Sequence, residues 1–466
     1  MNSEQLADSS KERPVSSTFR PVQEAPSHTP MRYGLAVPLL GILLLGAHTL
    51  RTGDVWLTSF VVTIFCLALT RQGWARLVTA AVLFGASLLW VRTGISLVHM
   101  RMMMGQDWLR LAAIMGGVSL FSLTGAGMLL SAPARARYMR HAATAVPQAA
   151  AFMVCALLLL VSRDQATRVT LLLSDRFFPG SGMLQIVLMS IYAAVVCGLL
   201  LDNRKARRVR AATWAFFSAV FFGQLALGLA GVERLLMTGT LHMPVPALVI
   251  AGPLFRGDGF FMLILFSVSV LLVGPAWCSH LCYIGAWDDR LSRVRKGAPA
   301  PLPAWAGTVR AGIAVTVFGT ALGLRLAGAS LGLALALAAA FGLAGVAVMM
   351  ACSSRAGTMA HCSAFCPLGL AGNLLSAVSP WRLRINDRCT RCGACTRVCR
   401  YNALAPCQVE KGRPALSCSL CRDCTTVCAH GAMELTFFRA SPAFSKRLFV
   451  VLVSSLHAVF LAVARI

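Results

Sequence analysis

Eight cysteines in the C-terminal part of the chain form the most specific chemical pattern in the sequence. They occur as two runs of four, and in each run successive cysteines are separated by two, two and three residues. The two runs are Cys389, Cys392, Cys395 and Cys399, and Cys418, Cys421, Cys424 and Cys428. This spacing is typical of chains that bind two [4Fe–4S] clusters, in which three thiolates of a run hold one cluster and the fourth ligates the other.

The crossing of the fourth cysteine predicts two mixed ligand sets. We expect the first cluster to be bound by Cys389, Cys392, Cys395 and Cys428, and the second by Cys418, Cys421, Cys424 and Cys399. Zinc commonly uses two Cys-x-x-Cys pairs and does not need this pattern twice. Disulfides need an oxidising compartment, which the predicted topology excludes. Arg400 and Ala429 replace the proline that usually follows each run, which affects the local backbone but not the ligands.

Two shorter cysteine pairs precede these runs and resemble each other. They lie in AWCSHLCYIG, with Cys278 and Cys282, and in AHCSAFCPLG, with Cys362 and Cys366. Cysteines four residues apart share one face of a helical turn, so two such turns that meet would present four thiols to a common centre. Three interpretations stay open: an additional iron–sulfur cluster or another thiophilic metal, redox-active dithiols, and simple packing. The adjacent His280 and His361 could ligate a metal or be solvated.

Composition indicates that most of the chain lies in lipid. The 466 residues are 57% hydrophobic and 13% charged, whereas a soluble domain is about a quarter charged. The net charge of +26 comes largely from cations in short loops between apolar runs, which indicates membrane topology and not nucleic-acid binding. We expect an all-α polytopic membrane protein of about 10–11 transmembrane helices. A small α+β domain with two [4Fe–4S] clusters, like a bacterial ferredoxin, is expected near its C-terminus.

Roughly eleven apolar runs approach the length of about 20 residues that crosses a bilayer. They are 33–50, 55–70, 77–91, 109–130, 145–161, 182–201, 211–231, 260–277, 309–326, 331–350 and 448–464. The methionines at 100 and 102–104 are predicted to lie on an interfacial segment. Lys and Arg concentrate in loops after the even-numbered runs, above all in residues 204–210. This bias places the N-terminus and the eight-cysteine segment in the cytoplasm.

The two cysteine pairs, the second followed by Pro367, together with the eight-cysteine segment, resemble the NapH/NosR-type membrane polyferredoxins. CcoG-type oxidase accessory proteins share the same parts. The resemblance covers about residues 274–435 and implies a bacterial inner-membrane protein. It also implies electron transfer between the quinone pool or a cytoplasmic donor and a partner enzyme, or maturation of a respiratory metalloenzyme. The chain departs from this pattern in about six extra spans over 31–235, in the lack of a flavin-binding extracytoplasmic domain, and in Tyr283 where proline is frequent.

Two further features bear on partners. The Gly- and Pro-rich loop 238–259, with His242, Arg256 and Asp258, is predicted on the outer side, where it could border a quinol site, dock a partner or simply connect helices. The eight-cysteine segment is basic, which would raise the cluster potentials and attract an acidic flavodoxin or ferredoxin, or anchor the segment to anionic headgroups.

These inferences divide the chain into five parts. They are a disordered tail (1–30), an N-terminal transmembrane bundle (31–235), a core with the paired cysteines (236–385), a two-cluster ferredoxin domain (386–438) and a C-terminal membrane helix (445–466). We interpret the chain as a component of an oxidoreductase that relays single electrons, with no catalytic residue of its own. Two alternatives are an assembly or regulatory factor for a respiratory metalloenzyme, and a transporter-like scaffold with a ferredoxin appendix.

Overall fold

The computed structural model describes residues 32–166, 170–236 and 243–463. The predicted polar tail and His242 lie outside these ranges. The N-terminal half is helical, with α1 (Ala36–Arg51), α2 (Val55–Leu69), α3 (Gly73–Met103), α4 (Leu109–Leu130), α5 (Ala132–Arg137), α6 (Ala145–Gln165), α7 (Leu173–Phe177), α8 (Gly182–Leu201) and α9 (Asn203–Leu229).

The C-terminal half adds helices and the two strands in the described part of the chain. Its elements are α10 (Leu248–Arg256), α11 (Phe261–Val273), α12 (Tyr283–Ser292), α13 (Ala306–Leu326), α14 (Leu331–Val348), α15 (Ser354–Ala356), α16 (Pro367–Leu375), β1 (Trp381–Ile385), α17 (Ala394–Val398), α18 (Pro406–Glu410), α19 (Asp423–Val427), β2 (Met433–Phe437) and α20 (Pro442–Val463).

Within the described ranges, nine helices are long and apolar enough to cross a membrane. They are α3, α4, α6, α8, α9, α11 with its continuation to Leu281, α13, α14 with its continuation to Ala356, and α20. The shorter apolar helices α1 and α2 coincide with the first two predicted runs. Each of the eleven predicted runs therefore overlaps a helix.

Three segments differ from the sequence-based expectation. The methionine-rich segment is the last turn of α3, which continues to Met103, and is not a separate interfacial piece. The basic residues 204–210 open α9 instead of forming a loop, because the Asp202 side chain accepts a hydrogen bond from the Arg204 N–H (3.0 Å) and caps the helix ahead of them. Much of the predicted loop 238–259 is the helix α10.

The last helix, α20, returns to the N-terminal bundle and joins the two halves of the chain. It packs on α6 and α8. Gln185 in α8 donates to the carbonyl of Ala462 (3.0 Å), and Ser455 in α20 donates to the carbonyl of Ala151 (3.1 Å). His457 is buried and hydrogen-bonded to Tyr192 (3.0 Å). Helix α20 also contacts β2, so it connects the eight-cysteine segment, which precedes it, to the N-terminal bundle.

Strands β1 and β2 enclose the eight-cysteine segment. They pair antiparallel, with Trp381 opposite Phe437 and Ile385 opposite Met433. Trp381 and Leu383 are buried while Arg382 is exposed, the alternation expected for a sheet with one packed face. Because β1 lies before residue 386, the sheet extends beyond the predicted start of the ferredoxin domain.

Candidate iron–sulfur sites

Two cavities in the segment between β1 and β2 are each lined by four of the eight cysteines. The first cavity contains Cys389, Cys392, Cys395 and Cys428, and the second contains Cys399, Cys418, Cys421 and Cys424. The last cysteine of each run thus lies in the cavity of the other run. The structure brings together the same two sets that the spacing predicts, and their role as ligands stays a prediction.

The two runs follow the same backbone path. Positive φ angles occur immediately before the second cysteine, at Arg391 (55°) and Leu420 (53°), and immediately after it, at Gly393 (71°) and Arg422 (65°). Left-handed backbone is uncommon for residues other than glycine. Strain of this kind clusters at functional sites, and such turns present backbone N–H groups to anions. The repetition of the strain at equivalent positions indicates that both loops are shaped around the same kind of group.

The ends of the two runs are equivalent as well. The N–H of Ala403 donates to Sγ of Cys399 (3.3 Å), and the N–H of Ala432 donates to Sγ of Cys428 (3.3 Å). In each run the donor is the residue four positions after the fourth cysteine. Hydrogen bonds to sulfur stabilise a thiolate and tune a bound cluster.

The second cavity contains polar atoms that a bound anion would satisfy. Ser419 Oγ and Arg422 Nη2 are buried and have no hydrogen-bond partner among the described residues, and both residues line the cavity. Buried polar groups are nearly always paired. A cluster carrying acceptor sulfurs would supply the missing partners, so these residues fit an iron–sulfur group.

The two cavities differ in exposure. Cys392 of the first is exposed, whereas Cys424 of the second is buried. Burial raises the pKa of Cys418 in the second cavity to about 12, whereas the backbone N–H of Ala394 lowers the pKa of Cys392. Metal binding must displace these thiol protons. The first cavity is therefore more accessible to solvent than the second.

The paired cysteines sit in two turns of matching geometry. Trp277–Leu281 and His361–Phe365 are single π-helical turns, which replace the α-helical turns assumed from the spacing. Each turn ends at the second cysteine, whose N–H donates five residues back, to Trp277 (3.0 Å) in one motif and to His361 (2.8 Å) in the other. Helix α12 or α16 then begins at the next residue. π-Turns occur frequently at functional sites, and the match shows that the sequence repeat is also a structural repeat.

The two motifs lie against each other. A Cβ atom added to Gly372, in the helix after the second motif, would lie 3.8 Å from Sγ of Cys278 in the first. Burial raises the pKa of Cys362, and the nearby Asp288 carboxylate and the other three thiols raise it further. In the described ranges no three His, Cys, Asp or Glu side chains are close enough to share one metal ion. The four thiols therefore approach a common region without closing around a single ion, and the same holds for the eight cysteines of the two cavities.

Unpaired polar atoms surround this second group of thiols. Both ring nitrogens of His361, Oγ of Ser363 and Oδ1 of Asp288 are buried without a hydrogen-bond partner in the described part of the chain. His280 is 7% exposed and His361 5%, so neither ring is solvated. Burial raises the pKa of Asp288 to about 6. The donor set, four soft thiols among unsatisfied polar groups, fits a bound cluster better than simple packing.

The second cavity and the paired cysteines are in direct contact. The hydroxyl of Tyr401, which lines the second cavity, donates to the carbonyl of Cys278 (3.0 Å). Ser279 donates to the carbonyl of Ser419 (2.9 Å), a residue of the same cavity. Sequence reasoning missed Tyr401 and Ser419; the only available signal was their position within two residues of a predicted ligand.

Comparison with known families supports an iron–sulfur protein. Residues 259–300 and 338–386, which contain the paired cysteines, match a family described as a 4Fe-4S binding domain. Residues 384–405, which contain the first four-cysteine run, match a second family of the same description. No curated protein matches the chain. No solved structure matches it either.

Proposed function

We propose that this chain is a multi-pass membrane protein that relays single electrons through iron–sulfur clusters. The observation that carries the proposal is the contact sequence from surface to interior. The first cavity has an exposed cysteine, the second has a buried one, and Tyr401 joins the second cavity to the paired cysteines. The first and second cavities would each hold a [4Fe–4S] cluster, and Cys278, Cys282, Cys362 and Cys366 would bind a third centre. Bound clusters supply one-electron chemistry; the chain supplies their ligands, spacing and insulation from water.

The proposed location is the bacterial inner membrane, with the cluster domain in the cytoplasm. Two findings support it. Both paired-cysteine motifs bond to the eight-cysteine segment: Ser279 donates to the carbonyl of Ser419 (2.9 Å), and the N–H of Met359, two residues before the second π-turn, donates to the carbonyl of Arg400 (2.8 Å). The first motif follows α11, and two membrane-length helices, α13 and α14, separate it from the second motif. Two further spans return the chain to the same side of a membrane, as expected if both motifs lie on one face. The concentration of Lys and Arg after the even-numbered apolar runs supports the cytoplasmic side.

An acidic protein is the proposed cytoplasmic partner. Arg388, Arg391 and Arg397 are exposed around the first cavity, the cavity that a soluble partner could reach. Arg391 lines it directly. Exposed cations of one sign increase the association rate of an oppositely charged partner. A flavodoxin or a ferredoxin has the required chemistry, and its reaction with the chain should slow steeply as ionic strength rises.

A quinol is the proposed partner within the bilayer. A cavity of about 220 Å³ lies between α10, α13 and α14 and is lined by apolar side chains together with Thr316 and Thr320. Phe341 at its edge stacks on Phe365 (ring centroids 4.8 Å apart), and Phe365 is the residue before Cys366. The stacked pair of Phe341 and Phe365 therefore connects the cavity to the second paired-cysteine motif. An apolar pocket with a few polar groups suits an amphipathic redox carrier.

Redox-titrated electron paramagnetic resonance with iron counting tests the relay. Two interacting cubane signals and about eight irons per chain support two [4Fe–4S] clusters, and additional iron would be assigned to the paired cysteines. A colourless or zinc-containing preparation would end the proposal.

Substitution at the apolar cavity tests the quinol link. Ala338→Trp fills the cavity, whereas Ala340→Trp lies on an exposed face of the same helix. We expect Ala338→Trp alone to slow cluster reduction by a menaquinol analogue, with reduction by dithionite unchanged in both variants. If the wild-type protein is not reduced by menaquinol but itself reduces cupric or ferric ions, a role as an assembly factor for a respiratory metalloenzyme is favoured instead.

A further inference from the structure

A group of buried charges lies where α9, α12 and the loop of the second cavity meet. It consists of Arg210 in α9, Asp289 in α12 and Asp423 at the start of α19, with Arg293 at its edge. The side chains of Arg210, Asp289 and Asp423 are 3%, 6% and 6% exposed. Buried charges are rare unless they are paired, and each member of this group has an oppositely charged partner.

Arg210 is the centre of this group. Its Nε and Nη2 atoms donate to the two carboxylate oxygens of Asp423, at 3.0 and 2.8 Å. Nη2 also donates to Asp289 (3.4 Å). Nη1 donates to the backbone carbonyl of Ser279 (3.2 Å). The bidentate geometry with Asp423 is the arrangement in which a guanidinium recognises a carboxylate most specifically.

The partners of Arg210 belong to both candidate redox sites. Asp423 lies between Cys421 and Cys424, two cysteines of the second cavity. Ser279 follows Cys278, the first of the paired cysteines. One guanidinium therefore bonds the loop that lines the second cavity and the π-turn that carries the paired cysteines.

The two carboxylates of the group differ in how much they depend on Arg210. Asp289 already has Arg293, which donates to both of its oxygens at 2.7 and 2.9 Å. Asp423 also has Arg293 at 3.6 Å and Arg207 at 3.9 Å, but among the described residues only Arg210 donates hydrogen bonds from its side chain to this carboxylate. The strongest bonds of Arg210 thus go to the carboxylate nearest the second cavity.

We propose that Arg210 is a positioning residue for electron transfer between the second cluster and the paired-cysteine centre. The proposal rests on the relay described above and deepens it. Arg210 holds the two sites at a set separation, and its charge favours the reduced form of the second cluster, because an adjacent cation stabilises the added electron. It also gives α9, and hence the N-terminal bundle, a function as the support of the cluster domain.

The test measures the midpoint potential of each cluster in the full-length protein by redox-titrated electron paramagnetic resonance. The variants are Arg210→Gln, Arg210→Lys and Asp423→Asn, with Arg208→Gln as the control because Arg208 is exposed on the same helix. Arg210→Gln should shift the second cluster to a more negative potential and leave the first unchanged. Asp423→Asn removes the opposite charge and should shift the second cluster to a more positive potential. Arg208→Gln should shift neither.

Arg210→Lys separates charge from geometry. It keeps the cation but cannot make the bidentate bond. We expect the second potential to stay close to that of the wild type while electron transfer from the second cluster to the paired-cysteine centre slows. If Arg210→Gln fails to load its second cluster, Arg210→Lys decides: slower electron transfer at an unchanged second potential supports the proposal, and an unchanged rate contradicts it.

Two outcomes would overturn the proposal without touching the relay itself. One is an unchanged second potential in Arg210→Gln with both clusters loaded. The other is a shift of the same sign in Arg210→Gln and Asp423→Asn. Absence of cubane signals from the wild-type protein would instead refute the proposed function, so the two failures are distinguishable.

Discussion

Substitution of the fourth cysteine in each run gives the sharpest test of the cluster sites. Cys399 belongs to the first run in sequence but lines the second cavity, and Cys428 belongs to the second run but lines the first cavity. Cys399→Ala should therefore abolish the second cluster and spare the first, whereas Cys428→Ala should do the reverse. An assignment by sequence proximity predicts the opposite pattern.

The expected magnitude follows from the composition of a cubane. Loss of one [4Fe–4S] cluster removes about four irons per chain and abolishes the magnetic interaction between the first and second clusters. Both variants should therefore look alike in iron content. What distinguishes them is the location of the surviving cluster, because the first cavity has the exposed Cys392 and the second has the buried Cys424.

The assay is electron paramagnetic resonance of the reduced variants with a soluble paramagnetic relaxing agent. The surviving cluster of Cys399→Ala should be strongly relaxed, and that of Cys428→Ala should be nearly unaffected. Cys407→Ala is the matched control, since Cys407 is an exposed cysteine of the same segment that lines neither cavity. A reversed pattern of relaxation, or loss of a cluster from the control, would refute the crossed assignment.

Three further predictions concern packing and topology. Gly285→Ala should destabilise the protein by about 1–3 kcal/mol, because the added Cβ would lie 2.6 Å from the Trp214 ring. Thermal unfolding in detergent measures this loss. Gly307→Ala is the control, because nothing lies within 4 Å of a Cβ at that position. Trp214→Phe removes the donor to the carbonyl of Cys282 (2.8 Å) and should cost about 1–3 kcal/mol in chemical denaturation, and an unchanged midpoint would contradict that contact. A membrane-impermeant thiol reagent should label Cys407 in inverted vesicles and not in intact cells, and the opposite result would reverse the proposed topology.

Several properties of this protein could be predicted from the sequence because they depend on residues close together in the chain. Each four-cysteine run spans eleven residues, so loop geometry alone brings its first three thiols together, whereas the fourth lines the cavity of the other run. The apolar runs likewise overlap the helices α1–α4, α6, α8, α9, α11, α13, α14 and α20, because a helix of this length satisfies its backbone within its own segment. The repeat of the paired cysteines is visible in sequence and recurs as two π-turns.

Local patterns were misleading where a distant partner or a cap decided the structure. A run of arginines resembles a loop in a membrane protein, but Asp202 caps it and α9 begins there. The β1 strand, Trp381–Ile385, is too short to identify from its own residues and exists through its pairing with β2, Met433–Phe437.

The contacts that join the candidate sites were decided by the tertiary structure alone. Arg210 and Asp423 are 213 residues apart in the chain, and Tyr401 and Cys278 are 123 apart. No periodicity or spacing specifies such pairs, since they depend on how helices pack. The sequence by itself predicted which thiols would bind clusters. Only the fold determined that the second cavity lies against the paired cysteines, because burying that face required bonds between segments remote in the chain.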